Sequence, residues 1–136
     1  MKRLLMIILM AFWLSPASAD TNVTRWVGQY AFDLMKDPGE RKRFRTIMDA
    51  KTYKLFKQAT SVASPIGSDG FWVVGEGCWQ HTCNTRAGFF AIEIATGRPV
   101  AVMLFDGKRY TYGARANGIP RPLAEIINDY LRRVGS

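Results

Sequence analysis

The chain has 136 residues, with 19 Lys and Arg against 11 Asp and Glu, one histidine and two cysteines, for a formal charge of +8. That length has room for one hydrophobic core rather than two, and no apolar run reaches the about 20 residues needed to cross a bilayer. The composition also lacks a Ser/His/Asp order with recognisable surroundings, a metal-ligand set, a phosphate-binding glycine loop and a glycosidase-like acid pair, so neither metal nor cofactor is expected.

Lys2 and Arg3 precede an apolar run over residues 4–14, and Ser15-Pro16 leads into Ala17-Ser18-Ala19. These are the three parts of a secretory signal. Residues 1–19 are therefore read as a signal peptide cleaved after Ala19, leaving residues 20–136 as a single domain. Loss of Lys2 and Arg3 takes the charge from +8 to +6. The expected location is the periplasm, without stable membrane insertion. Export separates the chain from nucleic acid, so none is expected as a partner.

Val23, Trp26, Val27, Tyr30, Ala31 and Leu34 recur at steps of three and four, which predicts a first helix ending near Lys36. Asp37-Pro38-Gly39-Glu40 reads as a new start, with a capping aspartate, proline at the first helical position and an acid at the third. The second helix is expected over residues 38–49 and a third over 50–59. Arg41, Lys42, Arg43 and Arg45 form the densest basic cluster, read as a solvated helix face.

A polar loop is expected over residues 64–70, where Pro and Gly punctuate the chain. Strands follow at 71–76, 88–94, 100–105 and 109–112, where aromatic and β-branched residues dominate. Ala95-Thr96-Gly97 and Asp106-Gly107 are short connections, so the last three strands should form an antiparallel meander. The run from Val100 to Phe105 has no polar face and predicts a strand covered on both sides. After Pro120 and Pro122, a last helix carries Leu123, Ile126, Ile127, Tyr130, Leu131 and Val134 on one face. The fold class is α+β, an antiparallel sheet of four to five strands sandwiched by N-terminal helices and a C-terminal helix.

Cys78 and Cys83 enclose Trp79, Gln80, His81 and Thr82 at the end of the first strand. In an exported chain the pair should be a disulfide. Closing so small a ring stabilises by only about 2 kcal/mol on the chain-entropy model. Its larger effect is to fix how the enclosed side chains are presented. A redox pair needs two intervening residues, and a structural zinc site needs four ligands. A stapled turn bearing a surface histidine, and a small enzyme using His81 with Glu76, stay open on residue chemistry alone.

The stretch from Gly75 to Asn84, Gly-Glu-Gly-Cys-Trp-Gln-His-Thr-Cys-Asn, between two apolar strands resembles the Ivy family of periplasmic lysozyme inhibitors. Cys78, His81 and Cys83 match its Cys-x-x-His-x-Cys loop, while Trp79, Gln80 and Thr82 stand where that family commonly has lysine, proline and aspartate. The resemblance implies a partner, lysozyme or a related peptidoglycan-cleaving glycosidase, and admits a homodimer. It implies His81 as a plug between the target's two carboxyl groups, Cys78 and Cys83 as its clamp, Gln80 and Thr82 as contacts, and an exposed Trp79 as an anchor. Occlusion needs no turnover, so no enzyme activity is implied. The alternative function is a non-inhibitory periplasmic protein binding an anionic envelope ligand or peptidoglycan.

Overall fold

The computed structural model describes residues 22–115 and 118–134. The expected signal peptide and its expected cleavage site lie outside the described residues. A 3-10 turn, Val23–Trp26, leads to helices α1 Ala31–Leu34, α2 Pro38–Phe44 and α3 Ala50–Ala59. Strands β1 Val62–Ala63, β2 Gly67–Asp69, β3 Trp72–Cys78, β4 Arg86–Glu93, β5 Pro99–Phe105 and β6 Lys108–Tyr112 follow, and helix α4 Arg121–Val134 comes last. All strand pairs are antiparallel, in the order β1-β3-β4-β5-β6, with β2 also paired to β3. The architecture is α+β. Among the described residues no helix is long and apolar enough to cross a membrane.

The first helix differs from its expectation. Gly28 takes φ +87, its N–H donates to the Ile66 carbonyl at 2.8 Å, and Ile66 N–H donates to the Gln29 carbonyl at 2.7 Å. The chain thus breaks into a 3-10 turn, an extended piece paired with residues 65–66, and the single turn of α1. Glycine adopts this left-handed backbone without steric cost, and apolar spacing alone does not report it. Asp37 caps α2 as its spacing predicts, accepting from Gly39 N–H at 2.9 Å and Glu40 N–H at 3.0 Å. However, α2 ends at Phe44 rather than at Asp49, because Asp49 caps α3 by accepting from Thr52 N–H at 2.7 Å.

The basic cluster of α2 is divided. Arg41, Lys42 and Arg45 are exposed, whereas Arg43 turns inward to Glu40, whose side chain is only 1 % exposed. Glu40 accepts from Arg43 Nε at 2.7 Å and from Trp26 Nε1 at 3.1 Å, and Arg25 lies 3.5 Å away. Arg43 also donates through Nη1 to the Gly97 carbonyl at 2.7 Å, so one buried carboxylate fastens the 3-10 turn, α2 and the β4–β5 turn together. A buried charge persists only when it is paired in this way.

The sheet is covered on both faces. Leu34, Phe44, Phe56 and Met48 pack on one face against Val73, Phe90, Ile92, Ala101 and Met103. Leu123, Ile127 and Tyr130 of α4 pack on the other against Trp72, Phe89, Ala91 and Val102. Alternation along β4 and β5 supplies both layers from the same strands. β5 is an inner strand as expected, and β4 is buried continuously from Ala87 to Ile92.

β1 and β2 are additions to the expected sheet, and β2 falls inside the stretch read as loop. Both are short strands paired to β3, and in β2, Gly-Ser-Asp, that pairing overrides a composition that predicts no strand. At the other end of the β3–β4 pair, Gly77 faces Gly88. A Cβ on Gly77 would meet the Val62 carbonyl oxygen at 2.8 Å and Thr60 Cα at 2.9 Å. The end of α3 and β1 therefore press directly on the sheet where the cysteine loop begins.

Candidate functional site: the disulfide-closed loop

The ladder between β3 and β4 extends one rung past Cys78, where Trp79 N–H donates to the Arg86 carbonyl at 2.9 Å. The chain then turns on Thr82. Its N–H donates to the Trp79 carbonyl at 3.0 Å, and its own carbonyl accepts from Thr85 N–H at 3.0 Å and Arg86 N–H at 2.8 Å. Cys78 and Cys83 are disulfide-bonded across a Cα separation of 4.8 Å.

His81 occupies the reversal with φ +67, in the left-handed region where histidine is enriched among non-glycine residues. Its side chain and that of Gln80 are exposed. No hydrogen bond or ion pair engages the imidazole among the described residues. Backbone hydrogen bonds and the crosslink thus hold the loop, while its tip remains available.

Trp79 departs from the exposed side chain expected of it. It is half-buried, with its ring 6.2 Å from Phe105 and the Arg86 guanidinium 4.9 Å above it. The same guanidinium lies 4.7 Å from the Phe105 ring, and its Nε donates to Asp106 at 2.9 Å. Asp106 and Gly107 take φ +51 and +79, the positive pair required by a two-residue type I′ hairpin turn. The neighbouring β5–β6 hairpin therefore braces the first residue of the ring. Arg86, Phe105 and Asp106 were not among the expected site residues, because only the β4–β5 register, Arg86 opposite Phe105, brings them to Trp79. Thr82 is half-buried, and its backbone serves as the pivot of the turn.

Glu76 is engaged elsewhere than with His81. Arg133 of α4 holds it by two hydrogen bonds at 2.7 and 2.8 Å. The Tyr130 hydroxyl, whose pKa burial pushes well above that of an ordinary phenol, donates to the Gly77 carbonyl at 3.4 Å. These contacts fasten α4 under the base of the loop. They also remove the carboxylate that a His81 and Glu76 acid–base pair would use.

The model of a protein family described as inhibitor of vertebrate lysozyme (Ivy) matches residues 39–133, which include the whole loop and every strand. Comparison with curated proteins and with solved structures gave no match.

Proposed function

The chain belongs to the family of inhibitors of vertebrate lysozyme, and from that premise we propose that it blocks its target by lodging the disulfide-closed loop in the substrate cleft with His81 foremost. This is a family of inhibitors rather than enzymes. One observation carries the reading: the only histidine in the chain stands exposed and unengaged at the reversal of a crosslinked loop.

Lysozyme-type glycosidases act through two carboxyl groups flanking the scissile bond, one a general acid and the other a nucleophile or stabiliser. An imidazole between them can donate from both ring nitrogens when protonated, and two nearby carboxylates favour that form. Such hydrogen bonds are charge-assisted at both ends and stronger than neutral ones. Gln80, beside it, is exposed and free to meet the cleft wall. Trp79, half-buried, keeps part of its surface available while Arg86 and Phe105 hold its ring. Thr82 contributes by keeping the turn closed.

The brace at Trp79 and the disulfide together limit how many conformations the loop loses on binding, and preorganisation of this kind strengthens association. The function is assigned to the mature chain of residues 20–136 in the periplasm, where a disulfide persists. The deciding experiment measures lysis of cell walls by several lysozymes with purified wild-type chain and with His81→Asn. Inhibition of at least one enzyme by wild type, lost in the variant, is the expected result. Equal inhibition by both proteins would refute the plug.

A further inference from the structure

A second feature lies at the opposite end of β4. The loop sits where β4 begins, and the β4–β5 turn lies where it ends, roughly 25 Å away at about 3.3 Å per strand residue. Between that turn and α2 runs an open groove with a volume of about 410 Å³, whose lining includes Arg25, Lys42, Arg43 and Arg98 together with Glu40 and Thr46.

Charge pairing in the groove is uneven. Glu40 is committed to Arg43 and lies near Arg25, and Asp37 lies 3.9 Å from Arg25. Lys42 and Arg98 are both exposed, and neither forms an ion pair among the described residues. Lys42 and Arg98 thus add two positive charges to the lining of one concavity from two different elements, α2 and the β4–β5 turn. The walls are fixed to each other, because Arg43 of α2 donates to the Gly97 carbonyl of the turn at 2.7 Å. The two elements that carry Lys42 and Arg98 are therefore held in a fixed relation to each other.

We propose that this groove is an anion site for a phosphomonoester, gripped by Lys42 and Arg98 and independent of the inhibitory loop. A phosphomonoester carries between about −1.5 and −2 charges at neutral pH and offers three acceptor oxygens. That charge matches the two unpaired cations, and guanidinium and ammonium groups are the side chains that bind such oxygens as fork and point charge. A carboxylate would neutralise only one of them. The phosphate could be borne by a soluble sugar or by a lipid headgroup, and both present the same chemistry to the groove.

The test uses the purified chain, with glucose 1-phosphate as the soluble probe and vesicles of phosphatidic acid in phosphatidylcholine as the lipid probe. Calorimetric titration follows the first and cosedimentation the second, for wild type and for the double variant Lys42→Glu, Arg98→Glu. Both replaced residues are exposed, and circular dichroism checks that the variant folds. Saturable binding of either probe, weakened at least tenfold in the variant, supports the site. Binding of the sugar phosphate alone identifies a soluble ligand, and binding of the vesicles alone identifies a headgroup. Absence of saturable binding to both, or binding undiminished in the variant, overturns the proposal. Lysozyme inhibition by the double variant should equal that of wild type, and His81→Asn should bind the probes normally, so failure of one site is separable from failure of the other.

Discussion

Replacement of His81 probes the occlusion mechanism most directly, and the backbone decides which replacement to use. At φ +67 every residue with a Cβ carries a steric cost, histidine included, and alanine lacks the polar side chain that makes histidine and asparagine more frequent there. Asparagine tolerates the left-handed region, so His81→Asn removes the imidazole while leaving the turn at ease. The side chain is exposed and makes no internal hydrogen bond, so the change should alter folding stability by no more than about 0.5 kcal/mol. In the complex, two hydrogen bonds to charged groups at about 1.5–3 kcal/mol each would be lost, or about 3–6 kcal/mol in all. At about 1.4 kcal/mol per factor of ten, the inhibition constant should rise by roughly a hundredfold to ten-thousandfold. Turbidimetric lysis at graded inhibitor concentrations gives that constant, and urea unfolding gives the stability. If His81→Asn unfolds at the wild-type midpoint and inhibits as strongly as wild type, His81 does not enter the cleft.

Trp79→Ala should weaken inhibition by about 2 kcal/mol or more, and should also cost about 1 kcal/mol of stability by releasing the Arg86 guanidinium. Lysis and urea titrations read the two effects separately, and unchanged inhibition with reduced stability would confine Trp79 to bracing. Thiol alkylation under denaturing conditions should add no mass unless the protein is first reduced, and two alkyl groups on unreduced protein would contradict the crosslink. Replacing both Cys78 and Cys83 by serine should lower stability by about 2 kcal/mol, with a larger proportional loss of inhibition, because the freed ring no longer holds His81 in one presentation. Glu40→Gln removes the carboxylate that pairs with the Arg43 guanidinium, whose side chain is 12 % exposed, and should cost about 3 kcal/mol in urea unfolding while sparing inhibition. A loss indistinguishable from zero would mean that the Gly97 carbonyl and solvent satisfy Arg43 without the carboxylate.

Local chemistry made some features readable in advance. The Asp37-Pro38 start of α2, the third helix at residues 50–59, the Asp106-Gly107 turn and the cysteine pair each depend on residues close together in the chain. The parts that escaped depend on partners far away. Gly28 breaks the first helix because its neighbours pair with residues 65–66, and two edge strands form because β3 offers them a ladder. The buried state of Glu40 follows from Trp26, Arg43 and the distant Gly97 carbonyl meeting around one helix turn. The candidate site divides in the same way. His81 is marked by its place between the cysteines, whereas the support of Trp79 by Arg86, Phe105 and Asp106 appears only once strand register is known.

The two flanks of β3 at the loop base are held very unequally. β4 pairs with it over seven residue pairs, whereas β1 pairs over two, Val62 with Cys78 and Ala63 with Gly77, helped by a long Ser61 Oγ to Cys78 carbonyl hydrogen bond of 3.4 Å. Amide hydrogen exchange follows local opening, so the β1 amides should exchange long before those in the centre of β4. Opening at β1 uncovers the backbone of Cys78, and there the crosslink to Cys83 ties the end of β3 to the turn that Arg86 secures. Reduction of the disulfide should therefore accelerate exchange around residues 78–83 far more than in β4, so that the loop loses its shape while the sheet beneath it stays closed.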